Sequence, residues 1–289
     1  MRFASSSGAN DATALPVRDK NWAAGLGARL VSAIAMAAAA LVAVFAGETA
    51  FAILIAAATG VLAWEWARLT GDGRFGATGI VLAVTTMALV AAAVLGWFEA
   101  AIIGAFVAGA SVFVVAMADG RRLRLWVAVG VLYIGLPAVA MIWLRGHGEA
   151  GQALMLWLLL TIWATDSGAF FAGRLIGGPK LAPRISPKKT WAGLGGAVVS
   201  AALVGVIVGG LDPHAPDTLL LAFAGAILAV VAQAGDLAES WVKRHFGAKD
   251  SSNLIPGHGG LFDRVDGLLV AALVLALGQW LTDWALAWH

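Results

Sequence analysis

Between Gly235 and Gly267 the chain reads GDLAESWVKRHFGAKDSSNLIPGHGGLFDRVDG, a polar segment set between two long apolar runs. Four acids in it, Asp236, Glu239, Asp263 and Asp266, are hard oxygen donors suited to a divalent cation. Lys243, Arg244, Lys249 and Arg264 are suited to phosphate oxygens. Between these groups lies a glycine turn, PGHGG, whose backbone N–H groups can face an anion. Acids for a metal, bases for phosphate and a flexible cradle are what phosphoryl or nucleotidyl transfer requires. Their place beside membrane-length runs points to a lipid as one substrate.

Each of these groups also has a plainer reading. On a helix, Asp236, Glu239, Ser240 and Lys243 fall at i, i+3, i+4 and i+7 and share one face. Glu239 with Lys243 is equally well an intrahelical ion pair. Asp236 sits closest to the apolar run, where a carboxylate is costly unless it is paired or binds an ion. Asp263 and Asp266 open the last apolar run, and the helix dipole alone favours one acid there. It does not account for the glycine turn just before them, which suggests a loop over a bound phosphate with Gly257, Gly259 and Gly260 supplying amides. His258 in that turn can donate to phosphate. Asp236 and Asp263 lie on adjacent helices and can converge on one Mg²⁺, with water and phosphate oxygens completing its shell.

A second basic segment, Arg174 to Thr190, reads RLIGGPKLAPRISPKKT. Three prolines and two adjacent glycines make it a shaped loop rather than a solvated charge run. Ser186, Lys188, Lys189 and Thr190 stand just before an apolar run, as at a phosphate-binding helix start. GxxxxGK[ST] is absent, and no GxGxxG follows a strand as a dinucleotide-binding fingerprint would. Asp166, within TDSGAFFAG, is an intramembrane acid and so a functional candidate. Glu65, between Trp64 and Trp66, reads as an interfacial anchor or helix-packing group.

The elements that must position these residues are helices. The chain is 61% hydrophobic and 12% charged, against about a quarter charged in soluble domains, so it reads as a polytopic membrane protein. Without cysteine it has no disulfide, thiolate nucleophile or thiolate zinc site. Apolar runs at about 30–47, 50–66, 77–97, 100–118, 125–144, 151–173, 191–210, 218–238 and 265–287 are each near spanning length. They are continuous rather than alternating, which excludes an outer-membrane barrel. The expected fold is all-α with about nine transmembrane helices. It divides into a flexible tail over 1–29, N-terminal helices over 30–150 and a catalytic region over 151–289. The pair within 30–66 is divided only by Gly47, Glu48 and Thr49. Val44-Phe45-Ala46 resembles a cleavage site, but the long polar stretch before it favours a retained helix. Nine spans with the N-terminus inside put every Lys and Arg except Arg145 on the cytoplasmic side, where nucleotides are found. Many of the 13 tryptophans lie at run ends, as interfacial anchors do.

At these residues the chain resembles the phosphatidate cytidylyltransferases, or CDP-diacylglycerol synthases. Their C-terminal pattern, roughly S-x-x-K-R-x4-K-D-x4-[IL]-P-G-H-G-G-x-x-D-R-x-D, is met at Ser240, Lys243, Arg244, Lys249, Asp250, Ile255 to Gly260, Asp263, Arg264 and Asp266. GDLxES is present as Gly235 to Ser240, and SPKKTxEG as Ser186 to Gly193. Ala192 stands where the family usually has Glu, and Ser252 where it often has Gly. The specific match covers about residues 160–267. It implies that CTP and phosphatidate give CDP-diacylglycerol and pyrophosphate. It implies catalytic roles for Asp236, Asp263, Lys243 and Arg264, and substrate contacts from Ser186, Lys188, Lys189, Thr190, Ser240, Arg244, Lys249, Asp250, Gly257, His258, Gly259 and Gly260. It implies Mg²⁺ held among Asp236, Asp263, Asp166 and Asp266, and it is compatible with a second cation and a homodimer. It implies a multi-pass protein of the bacterial plasma membrane, with its site facing the cytoplasm and no nucleic-acid partner.

Two rivals fit parts of this pattern. A CTP-dependent polyprenol or phytol kinase would transfer the γ-phosphate to an alcohol, but PGHGG followed by DRxD favours the cytidylyltransferase. A cation transporter would place its acids at mid-span, whereas here most lie at run ends beside basic residues.

Overall fold

The computed structural model describes residues 22–71, 73–118, 124–255 and 259–282. Among them are nine helices in chain order: α1 (Trp22–Phe45), α2 (Glu48–Thr70), α3 (Gly76–Val94), α4 (Phe98–Ala118), α5 (Arg124–Arg145), α6 (Gly148–Leu175), α7 (Trp191–Leu211), α8 (Thr218–His245) and α9 (Phe262–Thr282). Eight of the nine are long and apolar enough to cross a membrane. In α1 the apolar section is the shorter Arg29–Phe45. Helices prevail because a continuous apolar stretch can satisfy its own backbone only by i→i−4 bonding where water is absent. The chain is a multi-pass membrane protein.

Three features differ from the sequence reading. First, α1 begins at Trp22, so the end of the expected 1–29 tail is helical. Second, α8 runs on to His245, past the apolar run that ends near 238, and carries the polar face Asp236 to Lys243 on a rigid element. Third, part of the 174–190 loop is a hairpin, with β1 (Lys180–Ala182) antiparallel to β2 (Ser186–Thr190). Gly177 and Gly178, at φ +69° and +89°, turn the chain out of α6 into β1. Pro187 is tolerated because both strands are edges and its missing N–H breaks no ladder. The Trp191 N–H donates to the Pro179 carbonyl at 3.1 Å, tying the start of α7 to the hairpin's other arm.

The weak division between α1 and α2 is real. Gly47 sits at φ +105°, and α2 begins at Glu48. Arg145, the one basic residue expected on the outer side, is buried there. Its Nε and Nη2 donate to the Val44 carbonyl at 3.2 and 2.9 Å, and Nη1 donates to the Gly148 carbonyl at 3.0 Å. The guanidinium thus satisfies a carbonyl in the last turn of α1, one of those a helix end leaves unpaired.

Helix α5 packs on α2, α3 and α4 on one side and on α9 on the other, so it links the N-terminal helices to the polar segment. The core at that junction is aromatic: Trp66 lies 5.5 Å from Tyr133 and 5.6 Å from Phe262 between ring centroids. In the C-terminal half α6, α7, α8 and α9 pack in sequence order. Small residues permit it. A Cβ on Gly196 of α7 would collide with Ala172 and the Gly168 backbone of α6. Between α8 and α9, a Cβ on Gly235 would lie 3.1 Å from the Asp266 carbonyl oxygen, and one on Gly267 3.1 Å from that of Ala232. These glycines flank the acids Asp236 and Asp266, so the closest approach of the two helices falls where the carboxylates are.

Candidate active site

The α8–α9 crossing brings carboxylate oxygens of Asp236, Glu239 and Asp266 within 4.8 Å of one another. Asp236 and Asp266 come from the expected metal set, and Glu239 joins them from the same α8 face. Glu239 is buried, and its Oε1 has no hydrogen-bond partner among the described residues. Its Oε2 meets Lys243 Nζ at 2.7 Å in an ion pair. An oxygen-only donor set with an unpartnered buried carboxylate oxygen suits a hard cation such as Mg²⁺. Ser240 Oγ donates to Asp236 Oδ1 at 3.3 Å and holds that side chain toward the group.

Asp263 is placed differently. It accepts from Lys243 Nζ, from the Gly260 N–H at 2.8 Å, and from the N–H and hydroxyl of Ser251, both at 3.0 Å, on Oδ2. It thereby ties the loop leading from α8 to the first turn of α9. Lys243 is largely buried between Glu239 and Asp263, so it neutralises acids of the site rather than reaching into open space. The pair expected from i,i+4 spacing is therefore present, with Asp263 as a third member.

The same loop is held from its other side by a residue whose loop partners the sequence did not reveal. Of the two expectations for Glu65, burial favours the packing group: it is fully buried, at 0% exposure. Its Oε1 accepts from Ser252 Oγ at 2.6 Å and the Leu261 N–H at 2.9 Å. Its Oε2 accepts from the Phe262 N–H at 2.7 Å and Ser251 Oγ at 3.3 Å. A Cβ on Gly260 would strike Ser251 Oγ and the Glu65 carboxylate, which is why glycine is needed there. Ser252, where the family pattern often has Gly, thus has a definite partner in this chain. The available signal was weak: one acid in an otherwise apolar helix, flanked by tryptophans.

Tyr133, the single tyrosine of the chain, was also not singled out. Its ring lies against Trp66 and Phe262. Its hydroxyl is buried with no hydrogen-bond partner among the described residues, and the charges that bear on it include Asp266, Glu239 and Asp236.

On the other side of Asp236 is a cavity of about 370 Å³ between α6, α8 and the start of α7. Asp166, Arg174, Lys188, Lys189 and Thr190 line it together with Gln233 and Asp236. Lys189 Nζ meets Asp236 Oδ2 at 2.7 Å and donates to Gln233 Oε1 at 2.9 Å. Thr190 ends β2 and caps α7, its hydroxyl accepting from the Gly193 N–H at 3.0 Å. Ser186 lies at the far end of β2, paired with Ala182, and is not among the lining residues. Arg244 Nη1 donates to the Ala248 carbonyl at 2.9 Å and closes the end of α8, while Lys249 and Asp250 are exposed on the following loop. Arg264 is exposed in the first turn of α9. Gly259 takes φ +82° and its carbonyl accepts from the Ile255 N–H at 2.8 Å, pinching the base of the glycine turn. Gly257 and His258 lie outside the described residues.

Asp236 therefore belongs to two compartments, a basic cavity and a carboxylate group. That combination offers cationic side chains for phosphate on one side and oxygen donors for a cation on the other. Phe170 of α6, which lines the cavity, is exposed.

Comparison with known proteins agrees with this chemistry. The model of the Cytidylyltransferase family matches residues 27–281. A phosphatidate cytidylyltransferase of Brucella suis biovar 1 is 38% identical over 260 residues, covering 86% of this chain and 91% of that protein. One of Pseudomonas aeruginosa is 37% identical over 270 residues, covering 89% and 97%. One of Rickettsia bellii is 36% identical over 157 residues, covering 52% and 68%. The first two alignments extend well beyond the motifs into the N-terminal helices that carry Glu65 and Tyr133. With the family model and these relatives covering most of its length, the chain belongs to the cytidylyltransferase family.

Proposed function

We propose that the protein transfers CMP from CTP to phosphatidate, giving CDP-diacylglycerol and pyrophosphate. The observation that carries this reading is Asp236, shared between a lysine-lined cavity and a carboxylate group. A phosphate oxygen of phosphatidate forms a bond to the α-phosphorus of CTP. The bond from that phosphorus to the bridging oxygen of the β-phosphate breaks, and pyrophosphate leaves. The lipid phosphate is already anionic, so no strong general base is needed. What the reaction needs is countercharge where two polyanions meet.

Asp236, Glu239 and Asp266 would hold a Mg²⁺, with Asp166 lining the adjoining basic cavity and Asp263 holding the loop between α8 and α9. Bound there, the ion would supply charge neutralisation and Lewis-acid polarisation of phosphate oxygens. Lys188, Lys189 and Arg174 bind phosphate from the cavity side. Lys243 keeps the buried acids neutralised so that the carboxylate group can persist in a low-dielectric setting. The acyl chains of the lipid stay in the bilayer beside α6 and α7.

The assay is direct. Purified protein with Mg²⁺ and phosphatidate should move label from α-³²P-CTP into lipid, and none from γ-³²P-CTP. Label from the γ position in the lipid would instead identify a lipid kinase and overturn the reading.

Lys189→Ala should raise the KM for CTP, or lower kcat/KM, by a factor of ten or more, roughly the 1.4 kcal/mol or greater of a lost charge-assisted contact. If Lys189 served only the charge balance across the membrane, both constants would stay at wild-type values.

For topology, the concentration of Lys and Arg supports nine spans with the N-terminus and the site on the cytoplasmic face. The chain has no cysteine, so single introduced thiols report cleanly. Cysteines at Lys180 and Ser251 should both be labelled from the cytoplasm, and one at His214 only from outside. Labelling of positions 180 and 251 from opposite faces would rule out a composite site.

A further inference from the structure

We infer that Glu65 of α2 is a positioning residue of the site: its carboxylate clamps the Ser251–Phe262 loop and the first turn of α9, and so sets where Asp263 and Asp266 stand. This rests on the proposed cytidylyl transfer for its kinetic arm, though not for its structural one.

The geometry is specific. Among the described residues, the hydrogen bonds of the carboxylate go to the loop or the start of α9: Ser251 Oγ, Ser252 Oγ, and the Leu261 and Phe262 N–H groups. The two amides belong to the N-terminal end of α9, where a helix has donors with no intrahelical partner. Asp263 follows at once, and Asp266 lies one turn further along the same helix. Asp263 anchors the loop to α8 through Lys243, so the loop is held between two carboxylates that share the Ser251 hydroxyl. Trp66 next to Glu65 packs on Phe262, a second contact between α2 and the start of α9. Without the clamp, the register of α9 against α8 would depend on helix packing and the Lys243–Asp263 pair, and the carboxylates opposite Asp236 would be less firmly set.

The chemistry predicts an unusual order among substitutions. The oxygens of Glu65 face different backbone donors, Oε1 the Leu261 N–H and Oε2 the Phe262 N–H. Glutamine has only one acceptor oxygen, and either orientation of its amide turns an NH₂ toward a backbone N–H that cannot reverse. Glu65→Gln, the closest match in size, should therefore fail. Glu65→Asp keeps both acceptors at the cost of one methylene and should retain more function than the glutamine variant.

The test combines hydrogen exchange with kinetics on the full chain in detergent micelles. In Glu65→Gln without nucleotide, amides at the Leu261–Phe262 end of the loop should exchange at least tenfold faster, with α3 and α4 unchanged. The same variant should lose at least tenfold in kcat/KM for CTP per folded molecule, and Glu65→Asp should recover part of both. Wild-type kinetics in the glutamine variant, or a glutamine variant equal to or better than the aspartate one, would overturn the inference. So would faster exchange with unaltered kinetics, which would leave Glu65 a structural residue only. If the Glu65 variants do not fold, Ser252→Ala removes the 2.6 Å contact with Glu65, together with the local acceptor of the Leu254 N–H at 3.1 Å. It should move exchange and kcat/KM in the same directions by at least twofold, and no change in either would overturn the inference. Failure of wild-type protein to use CTP would sink the reaction assignment, while the exchange arm would still decide the clamp.

Discussion

Replacing Asp236 by Asn should lower kcat/KM for CTP by at least about 100-fold, about 2.7 kcal/mol of transition-state stabilisation. The side chain keeps its size and loses its charge. Two things follow from its double membership. The carboxylate group with Glu239 and Asp266 loses a ligand for a cation, and Lys189 loses its partner at 2.7 Å. The stability cost should be small by comparison. Asp236 and Lys189 are partly exposed, and an ion pair of that kind contributes no more than about 1 kcal/mol. Turnover at saturating Mg²⁺ and the thermal unfolding midpoint, measured on one preparation, separate the two effects. Near-normal turnover at saturating Mg²⁺ would remove Asp236 from the reaction. A collapse of the unfolding midpoint would make any loss of activity uninformative, and Asp236→Glu would then replace it as the test.

Lys243→Met should act the other way round, chiefly on stability. Its ammonium stands between Glu239 and Asp263, whose side chains are almost completely buried. Methionine fills similar volume but leaves two buried carboxylates without their cation. Breaking a buried pair by removing one partner typically costs about 3–5 kcal/mol, because the remaining charge is uncompensated. The variant should unfold at a clearly lower temperature in detergent and give a poor yield of monodisperse protein. Adding Glu239→Gln removes one of the stranded charges and should restore part of the midpoint without restoring turnover. A single variant with wild-type stability would mean that Lys243 is not the cation holding these acids together. If the double variant were no more stable than the single one, Asp263 would be the charge that matters.

The apolar runs alone determined that the chain is helical and crosses a membrane many times. The reason is local: backbone groups in an apolar stretch must bond within the stretch. The shared face of Asp236, Glu239, Ser240 and Lys243 was equally legible, since helical periodicity needs no tertiary information. So was the pairing of acids with bases around a glycine turn.

What the tertiary structure decided was which of these groups meet. Asp236 faces Glu239 and Asp266, and Asp263 holds Lys243 and the loop, because α8 and α9 cross where Gly235 and Gly267 allow their backbones to touch. One turn of helix separates Asp263 from Asp266, and spacing alone does not say which side of that turn the partner helix takes. The hairpin of β1 and β2 was hidden for a related reason: strand pairing is a non-local choice, and proline and lysine give a short strand little periodic signal. Glu65 was the least legible of all. It lies 196 residues before Leu261, and nothing in the order of residues along α2 marks which distant amides its carboxylate will meet. Chain order reveals the chemistry a segment can do, but helix packing selects the partners, because packing acts between residues whose separation along the chain is arbitrary.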